Sequence, residues 1–391
     1  MMEKLWNKNY IKVMTANFSM SFSFYLLTPL LPIYLSEYFH ASKDIIGTVL
    51  CGYSVMVLLI RPFSGYMVDS FNRKKVLLIC LCFYFLMFAG YLAALSLTAF
   101  AIIRTLHGAP FGASTVANST VAIDVLPSSR RNEGIGFYGL SNNIATAIAP
   151  TIGIWIYSTT GNFNILFWIS LFVAGIGMWV DSTVQIPEKE IAKNKTKISL
   201  DRFFLINGSI LAINMLCFGF CYGVLSNYLA IYGKEKLGIT NSTGIYFLLL
   251  SIGLILSRLQ GAKALREGKL VLNASEGIIL STFGYTIFVA TDSMIGYYAS
   301  AVLIGLGNGH MWPAFQNMMI NLAHHNQRGT ANSTLMTSWD SGVGIGILLG
   351  GFLAEHFDYQ CAFWTVSGVH IIGLITFFCF TKGFFLKRKL R

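Results

Sequence analysis

Charge is what this chain has least of. Asp, Glu, Lys and Arg make up 12% of its 391 residues, against 54% hydrophobic, and mean hydropathy is +0.61. Soluble domains carry about a quarter charged residues, so this composition excludes a water-soluble globule. The seven cysteines, among them Cys80/Cys82 and Cys217/Cys221, sit in or near apolar segments without metal-site spacing, and buried thiols are expected. No His-Glu-x-x-His run, no Gly-x-Ser-x-Gly elbow and no Gly-x-x-x-x-Gly-Lys-Ser/Thr loop occurs. Zinc peptidase, serine hydrolase and phosphate-loop chemistry are therefore not expected; the chain is read as no enzyme, with no cofactor and no metal. A net charge of +11 would point a soluble protein toward nucleic acid. Here it reads as topology plus attraction to anionic lipid headgroups, with no nucleic-acid partner.

What the chain does have is a series of apolar stretches long enough to cross a bilayer as helices. Twelve spans are marked off: 10–36, 44–69, 75–96, 98–124, 133–158, 163–184, 202–232, 242–263, 270–290, 294–323, 329–355 and 361–384. The first follows basic residues, as a signal peptide would, but its length and Pro29 and Pro32 mark a retained helix. Lys and Arg fall almost entirely into every second gap, 22 of the 28 on one side. The opposite gaps hold only Lys43, Lys234 and Lys236; Arg61, Arg104 and Arg258 lie within or at the ends of spans. Positive residues resist translocation, so the pattern predicts a multi-pass protein of the cell (inner or plasma) membrane with both termini in the cytoplasm. The polar stretch 185–201, rich in Lys and Glu, is the expected cytoplasmic linker between an N-terminal six-helix half (1–184) and a C-terminal six-helix half (202–391).

The halves read as a repeat. Gly65, Asp69 and Arg73 are matched 196 residues later by Gly261, Leu265 and Lys269. At an offset of 197, Gly108 and Gly112 meet Gly305 and Gly309, Arg131 meets Arg328, Asn143 meets Asp340, and Gly153 meets Gly350. Paired six-helix repeats with a site near the midplane are a known transporter plan.

Gly65-x-x-x-Asp69-x-x-x-Arg73-Lys74 resembles the loop motif between the second and third helices of the major facilitator superfamily. Ser70 stands where a basic residue is usual, and Asn72 where Gly is usual; Asn tolerates the left-handed turn that favours Gly. Arg104-Thr-Leu-His107-Gly108-x-x-x-Gly112 resembles the family's helix-four motif. Ala149-Pro150-Thr-Ile-Gly153 is similar to the signature of its antiporters, with Ala149 in place of Gly. Leu126-Pro127-Ser-Ser-Arg130-Arg131-Asn-Glu133-Gly134 resembles the bacterial drug and sugar efflux branch, including the arabinose-efflux-like proteins. The resemblance implies an all-α membrane fold of two six-helix repeats and a proton-coupled secondary transporter working by alternating access. It favours export of a small organic molecule over nutrient import, and the implied partners are that molecule, protons and the bilayer, with the chain acting as a monomer.

Residue by residue, the expectations are these. Gly65, Asp69, Arg73, Lys74, Arg130 and Arg131 form a cytoplasmic latch, Asp69 pairing with Arg73 or sitting against the positive N-terminus of span eleven. The alternative is an interfacial charge pair that only marks topology. Arg104 lies six residues into span four, where a guanidinium in hydrocarbon costs at least ~2.5–3.5 kcal/mol. That cost calls for a cavity, a buried partner or snorkelling to the outer interface. Arg61 and Arg258 can likewise snorkel. Asp340 lies about eleven residues into span eleven, hence ~16 Å deep, and is the leading proton carrier; a structural, hydrogen-bonded Asp is the alternative. Glu276 and Asp181 fall nearer the cytoplasm. Asp124 is expected to pair with Arg130 and Arg131. His107 and His310 can titrate or simply pack helices. Pro150 and Gly153 permit bending. Tyr25, Asn118, Asn142, Asn143, Asn214, Tyr228, Asn308, Trp312 and Gln316 are the expected cavity side chains, with Asp124, Glu276 and His310 as further proton sites.

Overall fold

A computed structural model describes residues 4–41, 43–186, 203–238, 243–291 and 293–390, and among these every regular element is a helix. The first half runs α1 (Lys8–Leu27), α2 (Leu31–Phe39), α3 (Lys43–Ser70), α4 (Arg73–Ala93), α5 (Leu97–Val125), α6 (Arg131–Thr160) and α7 (Phe163–Ser182). The second runs α8 (Ser209–Leu237), α9 (Thr243–Arg266), α10 (Leu270–Ala290), α11 (Met294–Asn321), α12 (Arg328–His356) and α13 (Tyr359–Thr376). A π-turn (Phe377–Thr381) then leads into α14 (Lys382–Arg388). Counting α1 with α2, and α13 with its continuation, these are twelve rods. The expected linker lies outside the described residues from 187 onward.

The repeat is visible in the helix ends. Shifting α4 by 197 residues reproduces the bounds of α10, and the same shift carries the start of α5 onto that of α11 and the start of α6 onto that of α12. Short polar side chains begin many of these helices by accepting an otherwise orphaned backbone N–H: Asn7 from Tyr10, Ser96 from Ala99, Ser293 from Gly296 and Asp358 from Cys361. Asn72 does the same for Lys75 at the start of α4, with extended backbone at φ −64° and ψ 112°. The left-handed turn expected there is absent; Asn72 serves as a cap instead.

Two spans depart from single straight helices. The first breaks between α1 and α2 with a 42° bend, and Pro32 falls in the opening turn of α2, where its missing N–H costs nothing. The last passes through the π-turn, discussed below.

Among the described residues, seven helices, or eight counting the bent pair, are long and apolar enough to cross a membrane. The long helices outside that set are α5, α6, α11 and α12, and the reason is composition. Arg104, His107 and Asn118 lie in α5, Asn142 and Asn143 in α6, Asn308, His310, Gln316 and Asn317 in α11, and Asn332 and Asp340 in α12. These four helices are two pairs of repeat partners, so the polar content is itself repeated.

Packing divides the chain into two compact units. The first holds Met1–Gly134, Ser141–Phe204 and Asn326–Ser333; the second holds Ile135–Leu140, Leu205–His325 and Thr334–Arg391. Compared with a cut at the linker, the first unit gains the start of α12 and the second gains a short piece of α6. The first unit includes a buried cluster of Phe24, Tyr53 and Val57, with Tyr25 and Phe111 packed against them. The second includes an aromatic core with Tyr232, Tyr246, Tyr285, Phe288, Tyr297 and Phe363.

Candidate functional site

Within the first unit, Asp69 stands where α3 ends and uses both carboxylate oxygens on the start of α12. Oδ1 accepts the backbone N–H of Gly329 at 3.0 Å; Oδ2 accepts the N–H of Thr330 at 2.9 Å and its hydroxyl at 3.1 Å. The first N–H groups of a helix have no internal partner and carry the positive end of its dipole, so an acid is the fitting cap. Arg73 Nη2 donates to Asp69 Oδ1 at 3.2 Å, Arg73 Nη1 pairs with Asp124, and Arg328 Nη1 reaches Asp124 at 3.2 Å. Two acids and two arginines thus alternate. Close approach makes this possible: a Cβ on Gly65 would lie 2.9 Å from the Gly329 carbonyl oxygen and strike Ser333, and one on Gly329 would lie 2.8 Å from the Gly65 carbonyl oxygen.

Three residues expected in this cluster are elsewhere. Lys74 donates to the Val184 carbonyl at 2.8 Å. Arg130 turns to Glu133, three residues on, at 2.7 Å, and Arg131 reaches the Ile123 carbonyl at 3.4 Å. Asp124 therefore pairs with Arg73 and Arg328 in place of Arg130 and Arg131. In the second unit the position of the acid is taken by Leu265, buried against Gly136.

Arg104, also in the first unit, is 4% exposed, so it does not snorkel. Its guanidinium carbon lies 4.2 Å from the Tyr53 ring centroid and 5.3 Å from that of Phe24, and Nη1 donates to the Tyr91 hydroxyl at 3.3 Å. That hydroxyl is 2.7 Å from His107 Nδ1. Aromatic faces and a phenol thus stabilise the buried cation; among the described residues it has no acid partner. Arg61 and Arg258 are buried as well, contrary to snorkelling. Arg258 lies in the second unit and donates to the Gly309 carbonyl at 2.8 Å.

In the second unit, Asp340 is partly exposed on α12 beside Trp339. The Trp339 ring meets Trp312 at right angles, 5.2 Å between centroids, and Tyr222 at 5.6 Å. Trp312 was expected in a cavity; Trp339 and Tyr222 were missed, because aromatics are 14% of the chain and spacing alone does not single these two out. His310 Nδ1 is 2.8 Å from Asn273 Oδ1, and Asn273 donates to the His310 carbonyl at 2.8 Å, so His310 bridges α10 and α11. Glu276 is exposed on α10 and joins neither group.

The remaining expected cavity residues divide. Tyr25 is partly exposed and meets Phe24 edge-on at 5.2 Å. Asn142 and Asn143 are partly exposed, and Asn308 is 9% exposed. Asn118 is fully buried with neither amide atom bonded, and Gln316 is buried. Tyr228 donates to the Ile347 carbonyl at 2.6 Å, tying α8 to α12. Asn214 is buried and locks the π-turn: its amide donates to the Gly373 carbonyl at 3.0 Å and Thr376 Oγ1 at 2.8 Å and accepts from Thr381. Thr376 and Thr381 are five apart, the spacing of a π-turn. Pro150 lies inside an uninterrupted α6, and a Cβ on Gly153 would lie 3.3 Å from the Leu26 carbonyl carbon, so α6 and α1 approach closely there. Among the described residues no group of three or more His, Cys, Asp or Glu could hold a metal ion.

Comparison with known proteins agrees with this architecture. The chain is 22% identical over 351 residues to the staphylopine export protein of Staphylococcus aureus, covering 86% of each. It is 27% identical over 381 residues to the class B tetracycline resistance protein of Escherichia coli, covering 90% of this chain and 89% of that one. The solved structure of the transporter FucP in its outward conformation superposes with a TM-score of 0.81 at 14% identity, covering 99% of this chain and all of that one, which shows a shared fold. The family model described as Major Facilitator Superfamily matches residues 13–342 and 274–389, and with helices, repeat and motifs agreeing, the chain belongs to the Major Facilitator Superfamily.

Proposed function

We propose that this transporter exports a small organic molecule in exchange for protons, its two halves alternating access to a central site. Both termini and the linker lie in the cytoplasm, and the cell membrane is its place. The observation that carries the reading is the capping of α12 by Asp69 within an alternating acid–arginine cluster. Such a contact is two-state by nature: the carboxylate either satisfies the first turn of α12 or leaves three donors, two N–H and one hydroxyl, to water. The latch role of Gly65, Asp69 and Arg73 rests on this, with Asp124, Arg328 and Thr330 added to it.

Export is supported by the Ala149-Pro150-Thr-Ile-Gly153 signature and by two relatives whose names are those of an export and a resistance protein. Coupling is assigned to Asp340, the acid deepest along its helix, with Arg104 as the buried cation of the other half. The aromatic faces of Tyr222, Trp312 and Trp339 fit a flat or amphipathic substrate. The test is proteoliposomes with an imposed pH gradient and a panel including tetracycline and staphylopine. Substrate should move against the proton flux. Movement in the same direction as protons makes the protein an importer, and transport indifferent to the gradient removes proton coupling.

A further inference from the structure

The end of α7 holds an acid that the transport reading does not use. Asp181, in its last turn, is 1% exposed. Among the described acids it alone has both carboxyl oxygens buried without a hydrogen-bond partner. A Cβ on Gly177, one turn earlier, would lie 3.3 Å from the Ala16 carbonyl oxygen and 3.0 Å from Ser19 Cβ of α1, so the two helices pack closely there, and Asp181 continues the same face of α7.

Among the described residues, two lysines donate to carbonyls at this end and are engaged there. Lys12 of α1 donates to the Thr183 carbonyl at 2.9 Å; Lys74 of α4 donates to the Val184 carbonyl at 2.8 Å. These carbonyls terminate α7, where cations are favoured. Arg73, beside Lys74 on α4, is turned to Asp69 and Asp124. Asn9 of α1 accepts the Gln185 N–H at 3.1 Å. α7 itself carries no other ionisable acid or base between Phe163 and Ser182.

A carboxylate sealed from water without hydrogen bond or countercharge is among the costliest groups a protein can hold, and a proton removes the charge. A merely structural acid would show the bonds it braces, and this one shows none.

We propose that Asp181 is a proton-binding site of the first unit, holding the proton in the arrangement seen here and releasing it when Lys12 and Lys74 leave the Thr183 and Val184 carbonyls for its carboxylate. The O–H bond breaks, the proton goes to water at that end of α7, and the ammonium groups balance the new charge without redox change. The site is separate from Asp340 and lies in the opposite half of the repeat.

Infrared difference spectroscopy of the purified full chain during a pH titration tests this without substrate, so its failure is distinguishable from failure of proton-coupled export. Wild type should show a carboxylic acid band at neutral pH that shifts in heavy water and is lost on alkalinisation, and Asp181→Asn should lack it. Replacing both lysines by methionine should preserve the band at a pH where wild type has lost it. An unchanged titrating band in Asp181→Asn overturns the proposal. Asp181→Leu supplies a second reading: with no bonds to lose, it should melt at or above the wild-type temperature. A clear fall in melting temperature would mean that the carboxyl has structural partners, and the proposal fails.

Discussion

The Asp69 carboxylate holds Thr330, 261 positions along the chain, by two hydrogen bonds, one from its backbone N–H at 2.9 Å and one from its hydroxyl at 3.1 Å. Both come from the first turn of α12, so one side chain fixes where that helix begins relative to α3.

Asp69→Asn removes the charge while keeping the shape. Charge-assisted bonds contribute roughly 1.5–3 kcal/mol, which is about ten- to a hundred-fold in an equilibrium. Turnover in vesicles should fall by about that factor while membrane expression and melting temperature change little. Transport at the wild-type rate from a well-expressed Asp69→Asn protein would reduce Asp69 to a topology marker.

Asp340→Asn fixes the site in a neutral form. Gradient-driven accumulation should be lost, whereas substrate exchange, which needs no change of protonation, should persist. The measurement is pH-driven transport beside counterflow in the same vesicles; full accumulation by the variant would move the proton site elsewhere, with Asp124 and His310 next.

Arg104→Lys keeps the charge but loses the planar stack on Tyr53 and the bond to Tyr91. A cation–π contact of this kind is worth about 0.5–2 kcal/mol, so initial rates should fall roughly three- to thirty-fold, and further in Arg104→Gln. Wild-type rates in Arg104→Gln would mean that the buried cation only braces packing.

Orientation is open to a direct check. Single cysteines at Lys195, which lies outside the described residues, and at Lys389 should react with an impermeant reagent only from the cytoplasmic face, and one at Glu235 only from the other. Outside labelling at Lys195 would invert the map.

The legible part of this protein was what is local. Spans such as 270–290 match α10 end to end because an apolar run and its capping residues are contiguous in the chain. The apposition of Asp69 and α12 could be listed among alternatives, since a helix start always offers unpaired N–H groups. Arg73 and Arg328 on Asp124 could not, because Arg130 and Arg131 are nearer in sequence and the choice is made by helix packing. The ring faces around Arg104 come from α1 and α3 and the phenol from α4, and nothing in any one segment announces them. Asn214 reads as a cavity residue until its partners on α13 are known. The bend after α1 had a visible cause in Pro29 and Pro32, yet hydropathy runs through it unbroken.

Glycines line the seam between α8 and α12. Cβ atoms on Gly219 and Gly223 would lie 3.0 Å from the Trp339 carbonyl carbon and 2.8 Å from Val343 Cα, and one on Gly346 would lie 3.0 Å from Phe220 Cα. Where two backbones touch, there is no side chain to change rotamer and no layer that can shear by repacking. Any substrate-driven movement in this half must therefore carry these two helices as one stiff plank. On the proposed cycle, Tyr222 on one and Trp339 on the other then travel together, so that a substrate held by that pair meets the same two rings at loading and at release.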